Sequence, residues 1–113
     1  VVLTGFVKGR ELHSLLTNAA CYSLPSSHEG LPISLLEAMS YKLPVIVSDI
    51  PANTEVGLPS DCYFRCGDVE QLSLKLKKVV NSPLCRIDYD MHKYNWDKIA
   101  KELIGVYKNT LKR

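Results

Sequence analysis

The chain has no long apolar run. Its longest stretch without a polar residue, Leu43–Val47, is far short of the roughly 20 apolar residues that a membrane-spanning helix requires. Val1–Val7 (VVLTGFV) has no basic segment ahead of an apolar one, so it does not read as a signal peptide. Cysteine is sparse. Cys21, Cys62, Cys66 and Cys85 form no CxxC pair, and the Cys62/Cys66 spacing has neither a second pair nor a nearby His to complete a zinc site. Free thiols in a reducing compartment are the expectation. A net charge of +2 gives no case for nucleic-acid binding. There are no repeats and no low-complexity segments.

What is present suits one soluble domain. The 113 residues are 46% apolar and 23% charged, ordinary for a single globular unit spanning 1–113. From Arg86 onward there are seven Lys/Arg against four Asp/Glu. That basic C-terminal stretch leaves peripheral contact with an anionic membrane open, though a solvated helix face explains it equally well.

Apolar spacing sets out an alternating chain. Val1–Thr4 reads as a short strand. Leu12, Leu15, Leu16 and Ala19 have helical periodicity. Ala20–Leu24 reads as a strand stopped by Pro25, and Ser26–Gly30 as a polar loop. Pro32 then suits the first turn of a helix that buries Leu35, Leu36 and Met39. Pro44 ends that helix, and Val45–Val47 reads as a fully buried strand. Ile50–Asp61 reads as a surface loop and Cys62–Arg65 as a short strand. Asp68 and Gln71 have capping-box spacing ahead of a helix stopped by Ser82-Pro83. A last helix follows Asn95, with Trp96, Ile99, Ala100, Leu103 and Tyr107 as its apolar stripe. Strands alternating with amphipathic helices predict an α/β fold, a Rossmann-like parallel sheet with flanking helices. The chain opens inside a strand without an initiator Met, and few strands are visible. We therefore expect an excised segment, truncated at its N-terminus, with strands missing upstream.

Ligands of open α/β sheets bind beyond the carboxyl ends of the strands. Pro25–Gly30 sits at such an end and feeds a helix, whose first N–H groups and partial positive charge suit a phosphate. Gly30, Leu31, Ile33 and Ser34 are the candidate backbone donors, with the Ser34 hydroxyl as a further contact. Glu29 and Glu37 flank them. Two carboxylates beside a phosphate cradle suit the hydroxyl pairs of a sugar nucleotide. From spacing alone, a dipole partner and a surface helix residue account for the two glutamates equally well.

The segment PSSHEGLPISLLEAMSYKLPVIVSDI (25–50) resembles the donor-binding signature of the retaining, GT-B-fold glycosyltransferases of family 4, or group 1. That family carries two glutamates separated by seven residues, as Glu29 and Glu37 are, then an EAM-type helix and a PV strand. TGFV (4–7), Asp49 with the later Glu55, Gly67-Asp68 and YNW (94–96) extend the likeness over essentially the whole chain.

The resemblance implies a partial C-terminal, donor-binding domain of a GT-B fold. It implies a hexosyltransferase of polysaccharide biosynthesis, cytoplasmic or peripheral to the inner membrane face. The donor would be a nucleoside-diphosphate sugar and the acceptor a glycan or lipid-linked sugar, held by an N-terminal domain outside this chain. Glu29 would bind the donor sugar and stabilise charge at the reacting carbon. Glu37 would hold the ribose, Gly30–Ser34 the diphosphate, and Gly5, Phe6 and Val7 would lie near the base. No cofactor and no metal are implied.

The sequence departs from the family at Cys21, His28 and Pro32, where many relatives have, respectively, an Asp, another neighbour of the first glutamate, and a second glycine. The basic residues that neutralise the diphosphate would also lie upstream. A non-catalytic nucleotide-binding scaffold and a sugar-nucleotide epimerase remain alternatives. Intact Glu29, Gly30 and Glu37 argue against the scaffold, and the absence of a pyridoxal-phosphate lysine motif argues against a phosphorylase.

Overall fold

Val45–Ser48, the most apolar short run, becomes the central strand β2 of a three-stranded parallel sheet. The computed structural model describes residues 1–82 and 85–112. Strands β1 (Tyr22–Leu24) and β3 (Tyr63–Phe64) pair on either side of β2, with Tyr22 opposite Val45 and Val47 opposite Tyr63. Parallel neighbours require a crossover. Between β1 and β2 it is helix α2 (Ile33–Ser40); between β2 and β3 it is the one-turn helix α3 (Pro51–Thr54) and a 3-10 turn at Ser60–Cys62. Helix α1 (Gly9–Asn18) precedes the sheet, and α4 (Val69–Val80) and α5 (Trp96–Leu111) follow it. The α/β architecture with flanking helices is thus the expected one.

Successive side chains of a strand point to opposite faces. Val45 and Val47 join a buried cluster with Leu35, Ala38 and Met39 of α2, and Leu43, Val56 and Leu58 extend it. Ile46 is also buried and lines a cavity of about 280 Å³ with Val79 and Lys75 of α4. Both faces of β2 are therefore covered, as its unbroken apolar run requires.

Helix α2 ends in a Schellman motif. Leu43 N–H donates to Ala38 O and Lys42 N–H to Met39 O, satisfying two carbonyls left over by the helix. The motif forces Lys42 to φ 59°, the left-handed conformation that glycine adopts without a Cβ penalty. Residues 85–91 then run beside this turn. Arg86 donates to the carbonyls of Thr17 and Tyr41, Ile87 N–H to Lys42 O, and Tyr89 OH to Leu43 O at 2.6 Å.

Four expectations need correction. Val1–Thr4 forms no strand. Val1, Val2 and Leu3 are exposed, since no neighbouring strand pairs with their backbone groups. The loop after β2 contains α3, started by Pro51, whose fixed φ suits a first helical position. The capping box is not reciprocal. Asp68 accepts from Gln71 N–H as expected, but Asp68 N–H already donates to Arg65 O, and the Gln71 side chain accepts from Arg65 N–H instead. The last stripe is not buried. Trp96 is 80% exposed, Leu103 and Tyr107 about half or more, and only Ile99 among the five is half-buried. The Cα radius of gyration is 17.0 Å, against about 13 Å for a compact chain of this length. Pro83, expected to stop α4, lies outside the described residues.

Two predictions follow from the α2–β2 turn. Lys42→Gly relieves the left-handed strain and is expected to raise stability by about 0.5–1 kcal/mol in urea denaturation. Burial pushes the Tyr89 phenol up to about 12, with nearby Cys62 adding and a backbone hydrogen bond from Val45 opposing. Its folded value lies above the free value of about 10, so the folded state holds that proton more tightly. Stability due to this group is complete below about pH 10 and is lost as pH rises towards 12. Tyr89→Phe should flatten the alkaline limb of the stability–pH curve.

Candidate functional site at the carboxyl edge of the sheet

The loops that leave the three strands meet at Ser26. Ser48, the last residue of β2, donates its hydroxyl to Ser26 O, and the Cys66 thiol beyond β3 lies 3.9 Å from the same carbonyl. Asp49 joins the second and third loops, donating N–H to Phe64 O and accepting Cys66 N–H at 2.8 Å. Ser26 in turn donates its hydroxyl to Glu29 Oε1 at 2.6 Å. Glu29 is half-buried, and Ser26 fixes one of its oxygens.

Pro32 stands at the N-cap of α2 instead of inside its first turn. Its φ of −78° and ψ of 76° and the bond from Ile33 N–H to Leu31 O at 2.9 Å make it the centre of an inverse γ-turn. Pro32 O then accepts from Leu35 and Leu36. Ile33 N–H is thereby engaged within the chain. Among the described residues, the N–H groups of Gly30, Leu31 and Ser34 have no partner. A Cβ at Gly30 would meet no atom within 4 Å, so packing does not demand glycine there; its absence leaves the backbone uncovered.

Tyr22 organises the opposite side. Its hydroxyl donates to Ser34 Oγ at 2.7 Å. That bond leaves the Ser34 hydroxyl proton free to point outward. Burial raises the Tyr22 phenol, and the negative charges of Glu29 and Glu37 add to it. One phenol thus sits in the field of both carboxylates. Glu37 and Ser34 are exposed.

Gly30 and Leu31 also line a cleft of about 400 Å³ with Glu55, Lys93 and Tyr94. Lys93 Nζ donates to Glu55 O at 2.7 Å and lies 5.2 Å from the Tyr94 ring centroid, within cation–π reach. The structure therefore gathers Glu29, Gly30, Leu31, Ser34 and Glu37. It does not tie Gly5, Phe6 and Val7 to them: Phe6 is 92% exposed, and the one described side-chain bond there runs from Thr4 to Gly5 O. Tyr22 and Lys93 were not legible in the sequence. Tyr22 lies within an apolar strand, and Lys93 lies in a stretch without periodicity, so neither carries a local signal.

Asp88 and Asp90 form an Asp-x-Asp pair. Asp88 pairs with Lys42 at 2.6 Å and Asp90 accepts His92 N–H. Among the described residues, no group of three acidic, His or Cys side chains is placed to hold a metal. No described helix is long and apolar enough to cross a membrane.

This α/β domain carries two glutamates and uncovered helix-entry amides at the carboxyl edge of its parallel sheet, the edge at which ligands of open α/β sheets bind. Residues 1–98 match the family described as glycosyl transferases group 1, and the chain belongs to that family. It is 30% identical to an uncharacterized glycosyltransferase of Methanocaldococcus jannaschii, over 96% of this chain and 30% of that protein. It is 28% identical to an MMP alpha-(1->4)-mannosyltransferase of Mycolicibacterium hassiacum, over 91% and 28%. It is 32% identical to an O-antigen chain mannosyltransferase of Salmonella typhimurium, over 88% and 28%. The chain thus spans less than a third of the length of each of these relatives. No solved structure matches it.

Cys66 offers a probe of this edge. It is exposed and should react with a maleimide in the native protein, as should exposed Cys85. A ligand lying over Ser26–Gly30 should slow labelling of Cys66 and leave Cys85 unchanged, which peptide mass spectrometry reads directly.

Proposed function

We propose that this chain is the donor-binding portion of a GT-B-fold, family 4 hexosyltransferase. It transfers a sugar from a nucleoside-diphosphate sugar with retention of configuration. The observation that supports the reading is that the Gly30, Leu31 and Ser34 amides are uncovered and that Tyr22, bonded to Ser34, lies in the field of both Glu29 and Glu37. Membership of the group 1 family and the two mannosyltransferases among the relatives support it.

In this reading Glu37 accepts hydrogen bonds from the ribose hydroxyls, and Glu29 accepts them from the donor sugar through the oxygen that Ser26 leaves free. The departing nucleoside diphosphate gains negative charge as the glycosidic bond breaks. The helix-entry amides, the Ser34 hydroxyl and the positive end of α2 stabilise that charge where it develops. Ile33 N–H takes no part while the γ-turn stands. Lys93, in the cleft beside Gly30, contributes a cation from downstream. The donor is bound without a metal or other cofactor.

Gly5, Phe6 and Val7 approach the base only once that exposed segment is ordered against it. The acceptor, a glycan or lipid-linked sugar, is held by sequence outside these 113 residues. The protein works in polysaccharide biosynthesis on the cytoplasmic side, with peripheral membrane contact through its basic C-terminal stretch.

The test is thermal shift of the whole protein with UDP, GDP and ADP, beside Glu37→Ala. One nucleotide at a hundred times its dissociation constant should add about 2.7 kcal/mol of stability. Glu37→Ala should lose most of that gain. An equal gain in Glu37→Ala would remove Glu37 from the ribose, and no gain with any nucleotide would overturn the donor-site reading.

A further inference from the structure

We propose that Ser48 and Asn53 are positioning residues for Glu29, acting through Ser26. The proposal rests on the reading of Glu29 as a sugar-binding carboxylate and identifies what aims it.

Ser48 and Asn53 are both 0% exposed and are the buried polar residues of this small core. Burying polar side chains is unfavourable unless they are hydrogen-bonded, and apolar residues of similar size would pack at least as well. Here the polar groups form a directed chain. Asn53 Nδ2 donates to Ser48 O at 2.9 Å and to Ser48 Oγ at 3.2 Å. The Ser48 hydroxyl, its acceptor site occupied, donates its single proton to Ser26 O. Ser26 Oγ donates to Glu29 Oε1 at 2.6 Å. Each hydrogen bond thus has a fixed sense, and the last two are joined through Ser26 itself, whose backbone carbonyl is held by Ser48 while its hydroxyl turns to Glu29.

The inner end is held at two further points. Asn53 N–H donates to Ile50 O, and Asn53 O accepts from the Tyr63 hydroxyl at 3.0 Å. The chain therefore couples the loop after β1 to β2, α3 and β3 together. Asn53 Oδ1 is buried without a partner, a cost that packing alone does not explain. Ser48 and Ser26 lie 22 positions apart, so the relay fixes a loop that the local sequence leaves free. A displacement of about 1 Å at a reacting geometry can lower turnover on the order of a hundredfold, so this anchoring has consequences for rate.

The test uses the whole protein with GDP-mannose and UDP-glucose as donors, reading release of the nucleoside diphosphate. Ser48→Ala and Ser26→Ala are expected to lower kcat roughly 10- to 100-fold, with the dissociation constant of the free nucleoside diphosphate unchanged. Ser48→Thr, which keeps the hydroxyl, should restore most of the rate. The decisive readout is a double-mutant cycle. In a Glu29→Gln background, Ser48→Ala should lower kcat no further, because the group it positions is already altered.

A full fall in that background, or wild-type turnover in both Ser48→Ala and Ser26→Ala, would overturn the relay and leave the Glu29 reading intact. Wild-type turnover in Glu29→Gln would defeat the Glu29 reading itself. If Ser48→Ala fails to fold, as a melting curve would show, Ser48→Cys, which keeps the size of the side chain and weakens its donor, carries the same cycle.

Discussion

The rest of the structure hangs on the burial of β2 from both sides. Val45 and Val47 close one face against α2, and Ile46 closes the other towards α4. Because the strand is central, its carboxyl end is the point from which loops on either side can be tied. Ser48 lies at that end, fully buried, and ties back to Ser26. Asp49, the next residue, ties forward to Phe64 and Cys66. A loop such as 26–30, which holds no apolar side chain, has little apolar surface with which to hold itself in place. It takes its position from the strand beside it.

The electrostatics of the edge follow from that placement. Two carboxylates lie near amides that the chain itself does not use, and one phenol lies in the field of both. In the proposed reading the carboxylates meet hydroxyl donors and the amides meet an anion. The γ-turn at Pro32 restricts it further by engaging Ile33 N–H, so the uncovered donors divide into Gly30 and Leu31 on one side of the proline and Ser34 on the other. A glycine in place of Pro32 would lack the fixed φ that favours this turn. Proline here gives up one donor and orders the loop that presents the remaining ones.

Two parts of the chain stand apart from the core. Val1–Phe6 is exposed, and α5 presents Trp96, Ile104, Val106 and Leu111 to solvent. Both carry sequence patterns of buried elements. Apolar spacing reports that a face is built to be covered, and says nothing of what covers it. The extended radius of gyration is the geometric counterpart of those uncovered faces.

Local spacing by itself determined the helices opened by Asp68 and Asn95, the strand at Val45, and the flanking of a helix entry by Glu29 and Glu37. Each of these depends on residues close in the chain: a cap with its first turn, an apolar run between prolines, two glutamates on one loop-to-helix passage. Tertiary structure decided what distant residues do together. It set the Tyr22–Ser34 bond, the Ser48–Ser26 tie and the arrival of Lys93 beside Gly30. It diverted Gln71 to Arg65 because Asp68 N–H was already engaged, and it left Val1–Thr4 without a strand partner. No short window carries such information, because hydrogen-bond partners and strand neighbours are assigned only when the chain closes on itself.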